Sequence, residues 1–173
     1  MKILIDTSYF LPLIKIGIEN IPQTLLANLL SKNTHQYFYS NLTLFELTAK
    51  GLKISSKKKK KITPQDIRIG IDAIQNDPRL RLINFTDNPI IIELASQLRG
   101  FHNDAIDCLI FATAICICDC IITMDVSFYE QINNNPPLIK EFLKINEGFQ
   151  FWFNDLSGDL KSLKSVDRIN KTA

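Results

Sequence analysis

Glycine is scarce in this chain, six among 173 residues. None of the six falls in a phosphate-cradling loop or a dinucleotide fingerprint, which excludes the nucleotide-binding classes built on such loops. Histidine is scarcer still. With only His35 and His102 present, a Ser or Cys nucleophile has no convincing base. The four cysteines, at positions 108, 116, 118 and 120, are confined to one apolar stretch. Cys116-x-Cys118-x-Cys120 lacks the two-pair spacing of a zinc site, so these thiols read as small core residues. A strong charge excess is also missing. At +2 net, any attraction to phosphate has to come from local clustering. Long uninterrupted apolar runs are absent too: the longest, 108–124, contains Asp119 and is flanked by Asp107 and Asp125, which argues against a bilayer span. Asp6 interrupts the apolar amino terminus, and no small-residue cleavage site follows it. A cytoplasmic protein is expected.

What is present fits one soluble domain. The chain is 46% hydrophobic and 22% charged, enough to bury a core at a usual single-domain size. Strand and helix patterns alternate, the signature of an α/β fold with a parallel sheet. Strands are expected at 2–5, 36–39, 80–84 and 121–124, with a last one at 142–145. Helical periodicity covers 9–16, 22–30 (opened by Pro22), 40–50, a segment opened by Thr63-Pro64-Gln65-Asp66, 88–100, 104–118 and 125–131. The 104–118 helix is apolar on nearly every side and should lie buried. Residues 51–61 read as a solvated loop or helix end and 133–137 as an irregular connection.

Four acids stand where strands end or helices begin: Asp6, Glu46, Asp107 and Asp125. Taken singly, each has a local explanation. Asp6 and Asp125 can cap the helices that follow them, Glu46 can form a capping box with Thr43, and Asp107 can do the same with Asp104. As a set they share the carboxyl edge of a parallel sheet, where ligand chemistry collects. Carboxylates gathered there raise one another's pKa unless a cation intervenes. All-oxygen ligands suit Mg²⁺ or Mn²⁺, and phosphodiester hydrolysis uses such a cation to activate water and neutralise the leaving oxygen. A metal-dependent nuclease is the reading that follows.

The patches around these acids, Ile3-Leu4-Ile5-Asp6-Thr7-Ser8, Ser40-Asn41-Leu42-Thr43-Leu44-Phe45-Glu46-Leu47, Asp107-Cys108-Leu109-Ile110-Phe111-Ala112-Thr113-Ala114 and Ile122-Thr123-Met124-Asp125, together resemble the PIN domain. Its prokaryotic members are often VapC-type toxin ribonucleases of toxin–antitoxin modules. The resemblance covers residues 1–145, with its patches in family order. It implies a three-layer α/β/α sandwich around a parallel sheet, Mg²⁺- or Mn²⁺-dependent cleavage of RNA, and commonly a homodimer inhibited by a small antitoxin protein. By position, Asp6, Glu46, Asp107 and Asp125 match the family's acidic metal-binding set, and Thr123 matches a frequent polar neighbour of the last acid. Asp104 is an outer candidate ligand or the cap of its helix. Residues 1–147 are accordingly expected to form the nuclease domain, and 148–173, which opens on Phe149, Phe151, Trp152 and Phe153, a C-terminal extension.

Several rivals remain beside this reading. A haloacid-dehalogenase-like phosphatase places a second Asp two residues beyond its nucleophile, where this chain has Ser8. His102 reads as a loop histidine near the site. Lys57, Lys58, Lys59, Lys60 and Lys61 either steer an RNA backbone towards the acids or form a solvated loop, and steering is favoured because an acidic cleft otherwise repels phosphate. The alternative from another class is a PIN-like scaffold without catalysis, binding RNA or protein, in which the acids hold a structural ion.

Overall fold

The computed structural model describes residues 1–17, 24–31, 35–57, 62–154 and 160–161. Pro22, Lys58 to Lys61 and the tail beyond 161 lie outside the described residues. In chain order the elements are β1 (Lys2–Ile5), a 3-10 helix (Thr7–Ile14), α1 (Leu25–Leu30), β2 (Gln36–Ser40), α2 (Asn41–Ser55), α3 (Pro64–Gln75), β3 (Leu80–Ile83), a 3-10 turn (Phe85–Asp87), α4 (Ile90–Leu98), α5 (Ala105–Ile117), β4 (Cys120–Thr123), α6 (Val126–Asn133), α7 (Pro136–Ile145), β5 (Gln150–Asn154) and β6 (Leu160–Lys161).

The sheet order is β3-β2-β1-β4-β5-β6. The first five strands pair in parallel, and the short β6 joins β5 antiparallel. A central parallel strand is buried on both faces and so reads as an unbroken apolar run. β1 behaves this way: Leu4 faces one core cluster, while Ile3 and Ile5 face the other. The first layer packs α4, α5, α6 and α7 on the sheet, and the second packs the 3-10 helix, α1, α2 and α3. Helices α5 and α2 start at the same sheet edge. β1 pairs with β2 on one side and β4 on the other, which makes the carboxyl end of β1 the topological switch point where open α/β sheets place their ligands.

Cys108, Cys118 and Cys120 are buried in the two cores, in keeping with the core reading of these thiols. Burial pushes the Cys118 thiol up to about 12 and the Cys108 thiol to about 11.

The carboxyl-terminal third departs from expectation. Residues 142–145, read as the last strand, belong to α7, and Pro136 and Pro137, read as part of a loop, form its first turn under an Asn135 cap whose Oδ1 accepts from the Leu138 amide at 3.3 Å. Leu138, Ile139 and Phe142 are buried, a helical rather than an alternating spacing. The fifth parallel strand is instead Gln150–Asn154, built from the aromatic cluster and paired with β4. The sheet thus extends past residue 147, the end expected for the nuclease domain. The Phe111 ring of α5 meets Phe128, Phe142, Phe149 and Phe151 at centroid separations of 4.7–5.7 Å, so these aromatics complete the core.

Two glycines permit close packing behind the switch point. Helix α2 runs through Gly51 to Ser55 rather than ending there, and at Gly51 it approaches α3 so closely that a Cβ would stand 2.7 Å from Ile67 Cγ1. At Gly70 an added Cβ would meet the Leu13 carbonyl oxygen at 2.7 Å and Ile14 Cγ2 at 2.5 Å. A backbone carbonyl cannot step aside. Gly70→Ala is therefore expected to destabilise the protein by about 1–3 kcal/mol in urea melts, despite the roughly 1 kcal/mol that alanine ordinarily gains in a helix.

Candidate metal centre

Asp6, Glu46, Asp104, Asp107 and Asp125 line one pocket of about 490 Å³, with Lys50 the one base on its described wall. Each acid arrives by a different route. Asp6 follows β1 and caps the 3-10 helix. Its Oδ2 accepts from the Ser8 amide at 3.2 Å, the Ser8 hydroxyl at 2.6 Å and the Thr123 hydroxyl at 2.9 Å. Thr123 Oγ1 in turn accepts from the Asp125 amide at 3.0 Å, and Ser8 Oγ accepts from the Met124 amide at 3.0 Å. Two hydroxyls thus bolt the ends of β1 and β4 together. Thr123 is fully buried, and its hydroxyl links the first acid to the last.

Asp125 caps α6 through Oδ1, which accepts from the Phe128 amide at 2.9 Å. For Asp6 and Asp125, capping and pocket lining coexist. For Glu46 and Asp107 the capping alternative fails. Helix α2 is capped by Ser40, and Glu46 lies further along it, 5% exposed, with Oε1 paired to Lys50 one turn on and Oε2 buried without a hydrogen-bond partner. Helix α5 is capped by Asp104, whose Oδ1 accepts from the Ile106 amide at 2.8 Å and the Asp107 amide at 3.3 Å. The Asp107 carboxylate turns instead to His102, with Nε2 2.9 Å from Oδ2.

The electrostatics record the crowding. Asp107 is pushed up to about 7, first by burial and then by the charges of Asp6, Asp104 and Glu46, against the opposing hydrogen bond from His102. Burial pulls Lys50 and His102 down, but hydrogen bonds, with Glu46 for Lys50 and with Gln131 and then Asp107 for His102, together with the charges of the acids outweigh it and hold both above their ordinary values. Among the described residues no three His, Cys, Asp or Glu side chains are gathered as a ready metal cage; the acids are spread around the pocket, each tied to a different partner. The donor set still fits a hard divalent ion. Five carboxylates face one ammonium, Glu46 Oε2 is an orphaned buried acceptor, and every pocket acid offers oxygen, the ligand that Mg²⁺ and Mn²⁺ take.

Lys50 is not singled out by the sequence, and His102, which reads there as a loop histidine near the site, hydrogen-bonds to Asp107 instead. The four-residue spacing of Glu46 and Lys50 is a helical pairing signal, whereas nothing local announces the His102–Asp107 bond. Of the lysine run, Lys57 is described. It joins Lys50 and Lys53 around a shallow recess floored by Leu11, Ile16 and Ile54, next to the acidic pocket.

No family model matches the chain, and no curated protein does. Solved structures do. The chain is similar to VapBC2 from Rickettsia felis, crystallised with a DNA fragment from its promoter, at TM-score 0.53 and 23% identity over 75% of this chain and 92% of that one. It is also similar to FitAcB from Neisseria gonorrhoeae, at TM-score 0.47 and 22% identity over 75% of this chain and 92% of that one. At this identity the first match establishes architecture: the chain has the PIN-like α/β/α fold, with its acids at the sheet's switch point.

Proposed function

We propose that this protein is a divalent-metal-dependent endoribonuclease of the VapC type, the toxin of a toxin–antitoxin pair. The observation that carries the reading is the meeting of Asp6, Glu46, Asp107 and Asp125 in one pocket at the switch point. These four would hold Mg²⁺ or Mn²⁺, with Asp104 at the rim. When bound, such a cation supplies activation of water and neutralisation of the charge that grows on the leaving oxygen.

The chain's own residues do the rest. Ser8 and Thr123 fix the Asp6 carboxylate through three hydrogen bonds, so little reorganisation remains when charge develops nearby. Lys50 partly neutralises Glu46 and sits where an incoming phosphate would meet the acids. Lys53 on α2 and Lys57 just past its end continue the positive stripe, which favours approach of an RNA backbone from that side. Lys58 to Lys61, outside the described residues, belong to the same RNA-binding proposal. A partner antitoxin and a homodimer belong to the same proposal, and the likeness to the Rickettsia felis VapBC2 structure supports the antitoxin.

The test is cleavage of single-stranded RNA by purified protein with Mg²⁺ or Mn²⁺. Activity is expected with either ion and none in chelator. Cleavage that persists in chelator removes the metal reading. Lys50→Gln/Lys53→Gln/Lys57→Gln should weaken RNA binding across sequences and lower the salt slope by up to about three, as measured by fluorescence anisotropy at several ionic strengths.

A further inference from the structure

Among the described residues, His102 is a titratable side chain beside the pocket that is held from several sides. Its Nε2 lies 2.9 Å from Asp107 Oδ2 and its Nδ1 2.6 Å from Gln131 Oε1 of α6. Its ring packs against Phe128 at 4.8 Å between centroids. The backbone is held as well: the His102 amide donates to Leu98 O at 3.0 Å, and its carbonyl accepts from Arg99 at 3.1 Å. A ring held at both nitrogens and on one face points Nε2 in one direction; towards an ionised Asp107 that nitrogen carries the proton, and Gln131 meets Nδ1 through its oxygen or, with the amide turned over, through its NH2 group. That direction is the Asp107 carboxylate, which shares its pocket with Asp6, Asp104 and Glu46.

We infer that His102 is a positioning residue of the metal centre: anchored by Gln131, it donates from Nε2 to Asp107 Oδ2 and so sets the orientation in which Asp107 meets a divalent cation. This rests on the metal reading above. Groups just outside a metal's ligand shell orient the ligands, and losing one commonly weakens metal binding by about ten- to a hundred-fold. The bond also connects α6 to α5 through Gln131, His102 and Asp107, so two helices flanking the pocket are tied by one side chain.

The amide nitrogen of glutamine falls near where His Nε2 sits, and that of asparagine near Nδ1. His102→Gln therefore keeps the donor facing Asp107, and His102→Asn removes it while remaining polar. Mn²⁺ affinity is measured by isothermal titration on the full-length protein, with melting in chelator as a measure of folding. His102→Asn is expected to bind Mn²⁺ about ten- to a hundred-fold more weakly than the wild type, and His102→Gln within a few-fold of it. In RNA cleavage at saturating Mn²⁺, the KM for RNA should stay unchanged in both variants. Wild-type Mn²⁺ affinity in His102→Asn, or equal losses in the two variants, overturns the inference. If His102→Asn does not fold, Gln131→Leu decides, since Gln131 is exposed and its loss frees the ring: weaker Mn²⁺ binding supports the inference and unchanged binding overturns it. A wild-type protein that takes up no Mn²⁺ overturns the metal reading itself and this inference with it, an outcome distinct from normal uptake that ignores His102.

Discussion

Asp6→Asn is expected to lower RNA cleavage by about a hundred-fold or more, the scale on which a preorganised group that stabilises developing charge is missed, while the melting temperature in chelator barely changes. The substitution separates charge from scaffolding. Asparagine caps a helix as well as aspartate does, and its amide oxygen can still accept from Ser8 and Thr123 where Asp6 Oδ2 now does. What disappears is one negative charge at the centre of the pocket. Steady-state cleavage at saturating Mg²⁺, with a parallel thermal melt, checks both halves. Undiminished cleavage by the variant would assign the activity to a contaminant or to another site, and a large fall in stability would make Asp6 a structural cap first.

Asp107 carries the second large effect, visible without any substrate. Its carboxyl stands at about 7 in the folded chain against 3.8 for the free group, so between about pH 4 and pH 7 the folded state holds more protons than the unfolded one. Stability of the metal-free protein should then fall as pH rises through that window. His102, held above its ordinary 6.5, adds a contribution of the same sign, lost as pH rises past its folded value. One pKa unit is about 1.4 kcal/mol. Screening by the solvent that reaches the pocket reduces the sum, so Asp107→Asn is expected to stabilise the metal-free protein at pH 7 by roughly 1–2 kcal/mol and to flatten its pH dependence.

Metal should reverse the ranking. Mn²⁺ at a hundred times its dissociation constant adds about 2.7 kcal/mol to the wild type, and much less to Asp107→Asn. Asp104→Ala makes the contrast, because the cap on the Ile106 and Asp107 amides is lost at a cost of about 1 kcal/mol while the metal response remains. Urea melts from pH 4 to pH 8, with chelator and with Mn²⁺, check these outcomes together. Loss of stability in metal-free Asp107→Asn at pH 7 would mean that the carboxylate is held by favourable contacts rather than strained by its neighbours.

Most elements were legible in the sequence because the forces that define them act within a turn or a strand. The capping box at Thr63 and Asp66, with Asp66 Oδ2 accepting from the Thr63 amide at 2.9 Å and Thr63 Oγ1 accepting from the Asp66 amide at 3.2 Å, is written in four consecutive residues. So is the Asp104 cap of α5. The apolar character of β1 after Lys2, and of α5 on nearly every side, announced burial, and thereby a parallel sheet with α5 packed against it.

The last strand was misplaced for a reason of the same kind. A short apolar run fits helix or strand equally well on local grounds. Residues 142–145 became helix because Asn135 and Pro136 start one upstream, and 150–154 became strand because β4 offers an open edge to pair with. Neither partner is visible from within the segment itself.

The acids divide along the same line. The positions of Asp6, Asp107 and Asp125 at strand ends and helix starts were local facts, and so was the cap geometry of Asp6 and Asp125, whereas Glu46 lies beyond the first turn of α2. That they share a pocket was decided by the pairing of β1 with β4, which brings Thr123 onto Asp6 across 117 residues of chain. Tertiary packing also decided that Glu46 is buried with one oxygen unpartnered and that Asp107 faces His102. Sequence determines which groups a chain carries and what each does alone; how near they stand, and so how far burial and like charge move their pKa values, depends on contacts between segments that only the folded sheet brings together.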